Sequence, residues 1–398
     1  MIPESAAKAL LSSLQHIPIH TPLLECGTCP DRAHCGGLQV KASLLSCLDH
    51  CTCKDKATCD VVCPRNPSFV QRIREVRGLG LSDVRKRKAI PFPNLPDPIH
   101  LIFRSPKLAR PMPLDIVAIP FSEVYRRTGR RGMLLTRVEL ERKFKLSPSA
   151  KILLTGVEED DHVEQWWGTI EREDLVRGFR GLGVICATTP NFSTIADVPR
   201  HDNLHSIKRI ALSWAELHDS GIPTALHING RTNYDFERWA GFLNDHKEIT
   251  AIAFEFLTGA ARQKRGAEYV DMLITFAKTV RRPITLIMRG GNQWLPTLRA
   301  HYDTVVTLNS DCTMKTRHRQ KAIVTPRGSL KWHTETSQPG TALDELFAHN
   351  IATMKSMFQS KKTACDAIPH PDTSPRTERT TSQSKLQAHD ESLQMSLL

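Results

Sequence analysis

Eight of the chain's eleven cysteines lie between Cys26 and Cys63. They run Cys26-x2-Cys29-x5-Cys35, then Cys47-x3-Cys51-x-Cys53-x5-Cys59-x3-Cys63-Pro64. Thiols at this density hold a metal or an iron–sulfur cluster, form a disulfide scaffold, or relay electrons. Met1 to Gln15 contains Glu4 and Lys8 and lacks the continuous apolar core of a secretory signal. A cytoplasmic chain is therefore expected, and in a reducing compartment the thiols stay free for metal. Structural zinc takes four thiolates in C-x2-4-C halves. Cys26/Cys29 and Cys59/Cys63 are two such halves, and Cys35, Cys47, Cys51 and Cys53 can complete two four-thiolate sites, with His34 and His50 as spare ligands. The closing Cys-x3-Cys-Pro also matches the end of a bacterial ferredoxin run. The C-x3-C-x2-C of radical S-adenosylmethionine enzymes is absent, because Cys47-x3-Cys51 is followed by Cys53. Zinc and an iron–sulfur cluster both remain open as the cofactor.

A second group of chemically able residues follows short apolar runs. Glu158, Glu159, Asp160, Asp161 and His162 follow Val157. His227, Asn229 and Arg231 close the run that starts at Thr224, Glu255 lies in the run from Thr250, and Arg289-Gly290-Gly291-Asn292 closes the run from Ile284. A carboxylate within an apolar run needs an arginine or a metal as partner. Glu158, Asp160, His227, Arg231, Glu255 and Arg289 are the candidate catalytic residues. The acids would serve as base or metal ligands, His227 as acid/base or ligand, and the arginines as phosphate clamps. His227, Glu255 and an acid from 158–161 could together hold a divalent metal. The alternative is a buried Glu–Arg–Asn network that only stabilises the fold. Gly290-Gly291 and the Gly129–Gly132 turn could let backbone approach a phosphate, and Trp166-Trp167 could stack on a base or pack in the core.

These residues need a scaffold that brings run ends together. The apolar, β-branched runs are Ile99–Phe103, Ile116–Pro120, Lys151–Val157, Gly183–Ala187, Thr224–Ile228, Thr250–Phe256, Ile284–Met288 and Thr304–Leu308. Helical stretches at Leu204–Ser220, Tyr234–His246 and Ala267–Thr279 separate several of them. Buried runs alternating with helices predict an α/β fold with a parallel sheet, and eight runs fit a (β/α)8-like barrel whose chemistry sits at the carboxyl ends of the strands. The gap between the first two runs is too short for a crossover helix. An open doubly wound sheet is the main alternative, without a G-x-G-x-x-G or Walker A motif to support it.

The domain reading is residues 1–64 as a Cys-rich metal module, 65–98 as a basic, proline-punctuated linker, 99–360 as the barrel with a last helix at Ala342–Phe358, and 361–398 as a disordered tail. From Asp366 to Leu398 the chain has no aromatic residue and is rich in Ser, Thr, Pro and charge. No run approaches 18 apolar residues, so no membrane partner is expected. Lys and Arg number 54 against 42 Asp and Glu, a net charge of +12, which favours a polyanionic partner, DNA first.

The stretch Val184–Trp239, with Thr189-Pro190-Asn191-Phe192-Ser193 and then Asp197-Val198-Pro199-Arg200, resembles an uncharacterised bacterial, phage and plasmid family known only as a domain of unknown function. Asn191 stands where that family carries Asp. The resemblance implies a mobile-element setting and transfers no catalytic residue. The final Gln394-Met395-Ser396-Leu397-Leu398 resembles the pentapeptide with which bacterial polymerases and repair proteins dock on the replicative sliding clamp. In that mode the Gln amide bonds at the rim and two apolar residues fill a pocket. The leading expectation is a mobile-element enzyme that modifies or cleaves DNA while tethered to the clamp. The alternatives are a non-enzymatic DNA- and clamp-binding adaptor, and an iron–sulfur redox or radical enzyme acting on a small molecule or RNA.

Overall fold

Strands covered by helices on one side and by other strands on the other read as continuous apolar runs, and here all eight runs are barrel strands. In this computed structural model, residues 75–194, 200–258, 265–326, 328–335 and 341–366 are described. The strands are β1 (Ile99–Leu101), β2 (Ile116–Pro120), β5 (Lys151–Thr155), β6 (Val184–Thr188), β7 (Thr224–His227), β8 (Ala251–Glu255), β9 (Thr285–Arg289) and β10 (Thr304–Asn309). Each pairs in parallel with its neighbours in chain order, and β1 closes the barrel between β10 and β2. No helix separates β1 from β2. The parallel closed barrel replaces the open doubly wound sheet.

Alternation gives the strands two faces. Leu101, Ala118, Leu153, Cys186, Ala225, Ala253, Ile287 and Val306 point inward and form one buried cluster. Val117, Ile152, Leu226, Ile252 and Leu286 point outward under the helices. Cys186 and Cys312 are buried thiols without a disulfide, as small apolar residues would be.

The helices are α1 (Arg137–Phe144), α2 (Asp160–Trp167), α3 (Arg172–Gly178), α4 (Arg200–Asp219), α5 (Asn233–Asp245), α6 (Gly266–Val280), α7 (Leu295–Arg299), α8 (Asp311–Arg317) and α9 (Asp344–Asp366). The predicted stretches at 204, 234, 267 and 342 lie on α4, α5, α6 and α9. Among the described residues no helix is long and apolar enough to cross a membrane.

Two hairpins interrupt the alternation of strand and helix. β3 (Tyr125–Thr128) pairs with β4 (Arg131–Leu134), and β11 (Gln320–Val324) with β12 (Leu330–Thr334). Trp166 is core: it lies against Phe121, Tyr125 and Phe179 with ring centroids 5.0 to 5.9 Å apart.

Residues 75–98, read from sequence as part of a linker, are packed on the barrel. Val76, Leu81 and Val84 are buried along α4. The prolines keep the following segment extended, and Phe92 and Leu95 join the inward cluster. Asp97 then accepts from the Thr307 amide at 2.9 Å and the Thr307 hydroxyl at 2.6 Å, and pairs with Arg299 at 2.6 Å. The cysteine module at 26–63, the arginines at 65, 72 and 74, and the clamp-like peptide at 394–398 lie outside the described residues.

Candidate active site at the barrel mouth

The carboxyl ends of parallel strands converge, so the last inward residue of each strand forms one layer at the mouth. Two positions beyond inward Ala225, Ala253 and Ile287 stand His227, Glu255 and Arg289. These three polar residues therefore share the inward face of adjacent strands β7, β8 and β9. Glu255 and Arg289 are register partners, with Oε2 3.5 Å from Nη1. The Arg289 guanidinium lies over the Phe103 ring, 5.1 Å from its centroid.

Glu255 is 6% exposed. Its Oε1 accepts from the Leu257 amide at 2.7 Å, whereas Oε2 has no hydrogen-bond partner among the described residues. Burial pushes its carboxyl up to about 7, against the opposing pull of Arg289 and the Leu257 amide. A carboxylic acid that changes charge near neutral pH is suited to proton transfer.

His227 is 2% exposed. Its Nδ1 is 3.1 Å from the Thr189 carbonyl oxygen. A carbonyl can only accept, so Nδ1 carries the proton and neutral Nε2 presents a lone pair. That Nε2 is buried and without a partner among the described residues. Burial lowers the imidazole to about 4, with the Thr189 contact opposing. At neutral pH the His227 ring is thus neutral, with Nε2 an acceptor.

The loops hold these groups rigidly. The His227 amide donates to Thr189 Oγ1 at 2.9 Å. Asn229 donates to the Phe192 carbonyl at 2.8 Å and accepts from Thr194 at 3.1 Å, tying the end of β7 to the loop after β6. Thr232 and Asp235 form a capping box at the start of α5, and Trp239 Nε1 donates to the Asn229 carbonyl at 2.9 Å. Gly156 leaves the closest passage: a Cβ there would lie 2.1 Å from the Thr189 carbonyl oxygen.

The other predicted residues lie elsewhere. Glu158 is buried beside the turn after β2, where Oε1 accepts from the Ser122 amide at 3.0 Å and Oε2 lies 3.6 Å from His162 Nδ1. Burial raises its pKa. Asp160 is exposed and accepts from Ser193 at 2.6 Å. Arg231 lines a separate groove of about 540 Å³ between α5 and α6, with Arg265 and Glu268. Gly290 and Gly291, with φ of +74° and +69°, face the Leu257 and Phe256 side chains. Among the described residues no three His, Cys, Asp or Glu side chains form a metal-holding group, so the expected His227–Glu255–acid set is not assembled here.

Sequence reasoning did not single out Phe103 or the clamping role of Thr189. Their only signal was position, at the end of the first run and in the Thr188-Thr189-Pro190 turn. Buried polar atoms without a hydrogen bond among the described residues recur at or just after the ends of five consecutive barrel strands: Glu158 Oε2, Asn191 Oδ1, His227 Nε2, Glu255 Oε2 and Arg289 Nε. Others of this kind lie elsewhere, among them Ser213 Oγ, Trp214 Nε1 and Arg282 Nε, so it is the grouping at one end of the barrel that makes the mouth the candidate site. No family model and no curated protein matches the chain.

Proposed function

We propose that the barrel mouth is the catalytic centre of an enzyme that processes nucleic acid, with Glu255 as the proton-transfer group, His227 Nε2 as a fixed hydrogen-bond acceptor and Arg289 as the clamp on a substrate anion. One observation carries this reading. The same layer holds a buried carboxyl poised near pH 7 and a buried neutral imidazole nitrogen with no partner among the described residues. A ligand entering the mouth would supply those missing hydrogen bonds. The choice of nucleic acid rests on the net charge of +12 and on the clamp-like Gln394–Leu398. In the same reading the cysteine module carries zinc or an iron–sulfur cluster, and the C-terminal peptide recruits the enzyme to the sliding clamp.

The test uses full-length protein purified anaerobically, with metal identified by elemental analysis. DNA binding is followed by fluorescence anisotropy against salt, and the DNA is examined for cleavage or altered bases by gel and mass spectrometry. Binding that weakens with salt and a product lost in Glu255→Gln are expected. DNA that is neither bound nor altered would overturn the nucleic-acid reading, and a product made equally by the variant would remove Glu255 from the chemistry. Deleting Gln394–Leu398 is expected to abolish clamp pull-down, and unchanged pull-down would remove that partner.

A further inference from the structure

A second feature stands at the carboxyl end of the barrel, outside the Glu255 layer. The chain leaves β2 through one short turn, Phe121–Glu123, and forms the β3–β4 hairpin before α1 begins. The hairpin therefore rises from the mouth end of β2. That strand is four places from β8 in the ring of eight, so the hairpin stands across the mouth from Glu255. Gly129 takes φ of +61° at the first position of a two-residue loop, as a type II′ turn requires. Tyr125 pairs with Leu134, Arg126 with Met133, Arg127 with Gly132 and Thr128 with Arg131, which fixes the register.

Alternation divides the ribbon into two faces. Tyr125, Arg127, Gly132 and Leu134 share the inner one, which is built into the fold. The Tyr125 ring lies 5.6 Å from that of Trp166, and a Cβ at Gly132 would lie 2.6 Å from Leu175 Cδ1 of α3. At the edge, the Ile170 amide donates to the Arg130 carbonyl at 2.8 Å. α3 thus packs against the inner face. Arg126, Thr128, Arg131 and Met133 share the outer face and are exposed, with exposed Arg130 at the tip.

The outer face has more cations than the fold uses. From Phe121 to Lys145 the chain carries eight Arg and Lys against three Glu, a surplus of +5 out of +12 for the whole chain. All three acids are already matched: Glu123 to Lys143, Glu139 to Arg126 and Glu141 to Arg137. Arg130 donates to the Gly168 carbonyl at 3.1 Å, and among the described residues neither Arg130 nor Arg131 meets an acid. Exposed guanidinium groups on a ribbon held from behind suit a polyanion with regularly spaced charges. Arg126 and Arg131 are diagonal neighbours, about 7–8 Å apart. Duplex DNA sets a phosphate every ~3.4 Å along the axis of each strand, so groups at this spacing can meet nearby phosphates of one backbone. The outer face carries no aromatic residue on which an unpaired base could stack, which favours a duplex over a single strand.

We propose that the outer face of the β3–β4 ribbon, through Arg126, Arg130 and Arg131, binds the phosphate backbone of duplex DNA at the mouth rim, a placement that rests on the nucleic-acid reading above and adds the face and the form of DNA.

Anisotropy of a fluorescein-labelled duplex of mixed sequence, titrated with full-length protein over a range of salt, tests it. Arg130→Gln with Arg131→Gln removes two cations and breaks no ion pair. Lys278→Gln with Arg281→Gln removes two exposed cations where α6 ends, at the opposite end of the barrel. The slope of log K against log salt should flatten by about 1.8 in the ribbon variant, about 0.9 per lost phosphate contact, and should match the parent in the other. An unchanged slope in the ribbon variant, or equal flattening in both, overturns the ribbon and leaves the nucleic-acid reading standing. A parent that binds no nucleic acid overturns both. Equal or tighter binding of the single strand overturns the duplex assignment. Poly-glutamate bound as tightly as the duplex, and lost in the same variant, would give the ribbon an acidic protein as partner and overturn the DNA assignment. A second readout does not depend on affinity differences: p-benzoylphenylalanine in place of Met133, which is 62% exposed, should crosslink to the duplex on irradiation, and in place of exposed Ser149, before β5 at the opposite end, should not. No product from Met133, or equal product from both positions, overturns the placement.

Discussion

Replacing Glu255 by glutamine separates a catalytic carboxyl from a stabilising one, because the two make opposite predictions about folding. Burial lifts the carboxyl from the ordinary glutamate value of 4.5 to about 7, with Arg289 offsetting only part of the penalty. The folded state therefore binds this proton more tightly than the unfolded chain does. The stability it contributes is fully present below pH 4.5, is lost as the pH rises to about 7, and stays lost above that. At about 1.4 kcal/mol per pH unit, the difference amounts to about 3 kcal/mol. Glutamine keeps the shape and an oxygen for the Leu257 amide but never ionises. Glu255→Gln should therefore be about 2–3 kcal/mol more stable than the parent at pH 8 and indistinguishable near pH 4.5. Urea unfolding at pH 4.5, 6, 7 and 8 measures this, and titrations common to both proteins cancel in the difference. Activity should move the other way, falling about 100- to 10,000-fold, the usual contribution of a positioned acid or base. A stability gap independent of pH, or a glutamine variant weaker at pH 8, would show that the Glu255–Arg289 pair holds the barrel together and would sink the acid/base assignment.

Three further changes probe the frame around the site. Gly156→Ala places a Cβ 2.1 Å from the Thr189 oxygen and 2.4 Å from the Pro190 nitrogen, both backbone atoms that cannot swing aside; a loss of roughly 1–3 kcal/mol or more is expected, and an unchanged melting temperature would refute the close approach. Asp83→Ala leaves the buried Lys208 ammonium with only the Gly80 carbonyl; because Asp83 is half exposed, a loss of about 1–3 kcal/mol is expected, with new proteolytic cleavage at residues 75–90, and intact protease resistance would count against the strap along α4. Burial lowers His100 to about 4, so its stabilising effect is present above pH 6.5 and is lost as the pH falls towards 4. His100→Leu should flatten that acid-side decline in urea midpoints, and an unaltered slope would mean that His100 is not buried in its neutral form.

The barrel was legible because its strands are buried on both faces, which leaves a plain apolar signature. The hairpins were not: β3 reads Tyr-Arg-Arg-Thr and β12 reads Leu-Lys-Trp-His-Thr, polar strands held by pairing more than by burial. His227, Glu255 and Arg289 were legible for the converse reason, as polar residues inside or closing apolar runs, where alternation fixes their direction. Arg231 and Glu158 lie past the last strand residue, where alternation no longer applies. The turns after β7 and β5 turn one towards the α5–α6 groove and the other towards Ser122. Phe103 carries no charge, so nothing in its type distinguished it from core until Arg289 was seen above it.

The properties of the site come from what lies beneath it. Ala225 and Ala253 occupy the inward layer under His227 and Glu255, while the bulkier Ile287 lies under Arg289. Small residues at those two strand positions let the polar side chains sit deep in the converging strands, and depth is the first cause of both pKa shifts. The nearest cation to Glu255, Arg289, stands at 3.5 Å and on the Phe103 face, too poorly aligned to hold the carboxylate fully ionised. A closer fork-to-fork pair would restore an ordinary acidic glutamate. The same looseness leaves Oε2 in an ion pair but without a hydrogen bond among the described residues, and this imperfect pairing fits a site prepared for a ligand better than one finished as a salt bridge.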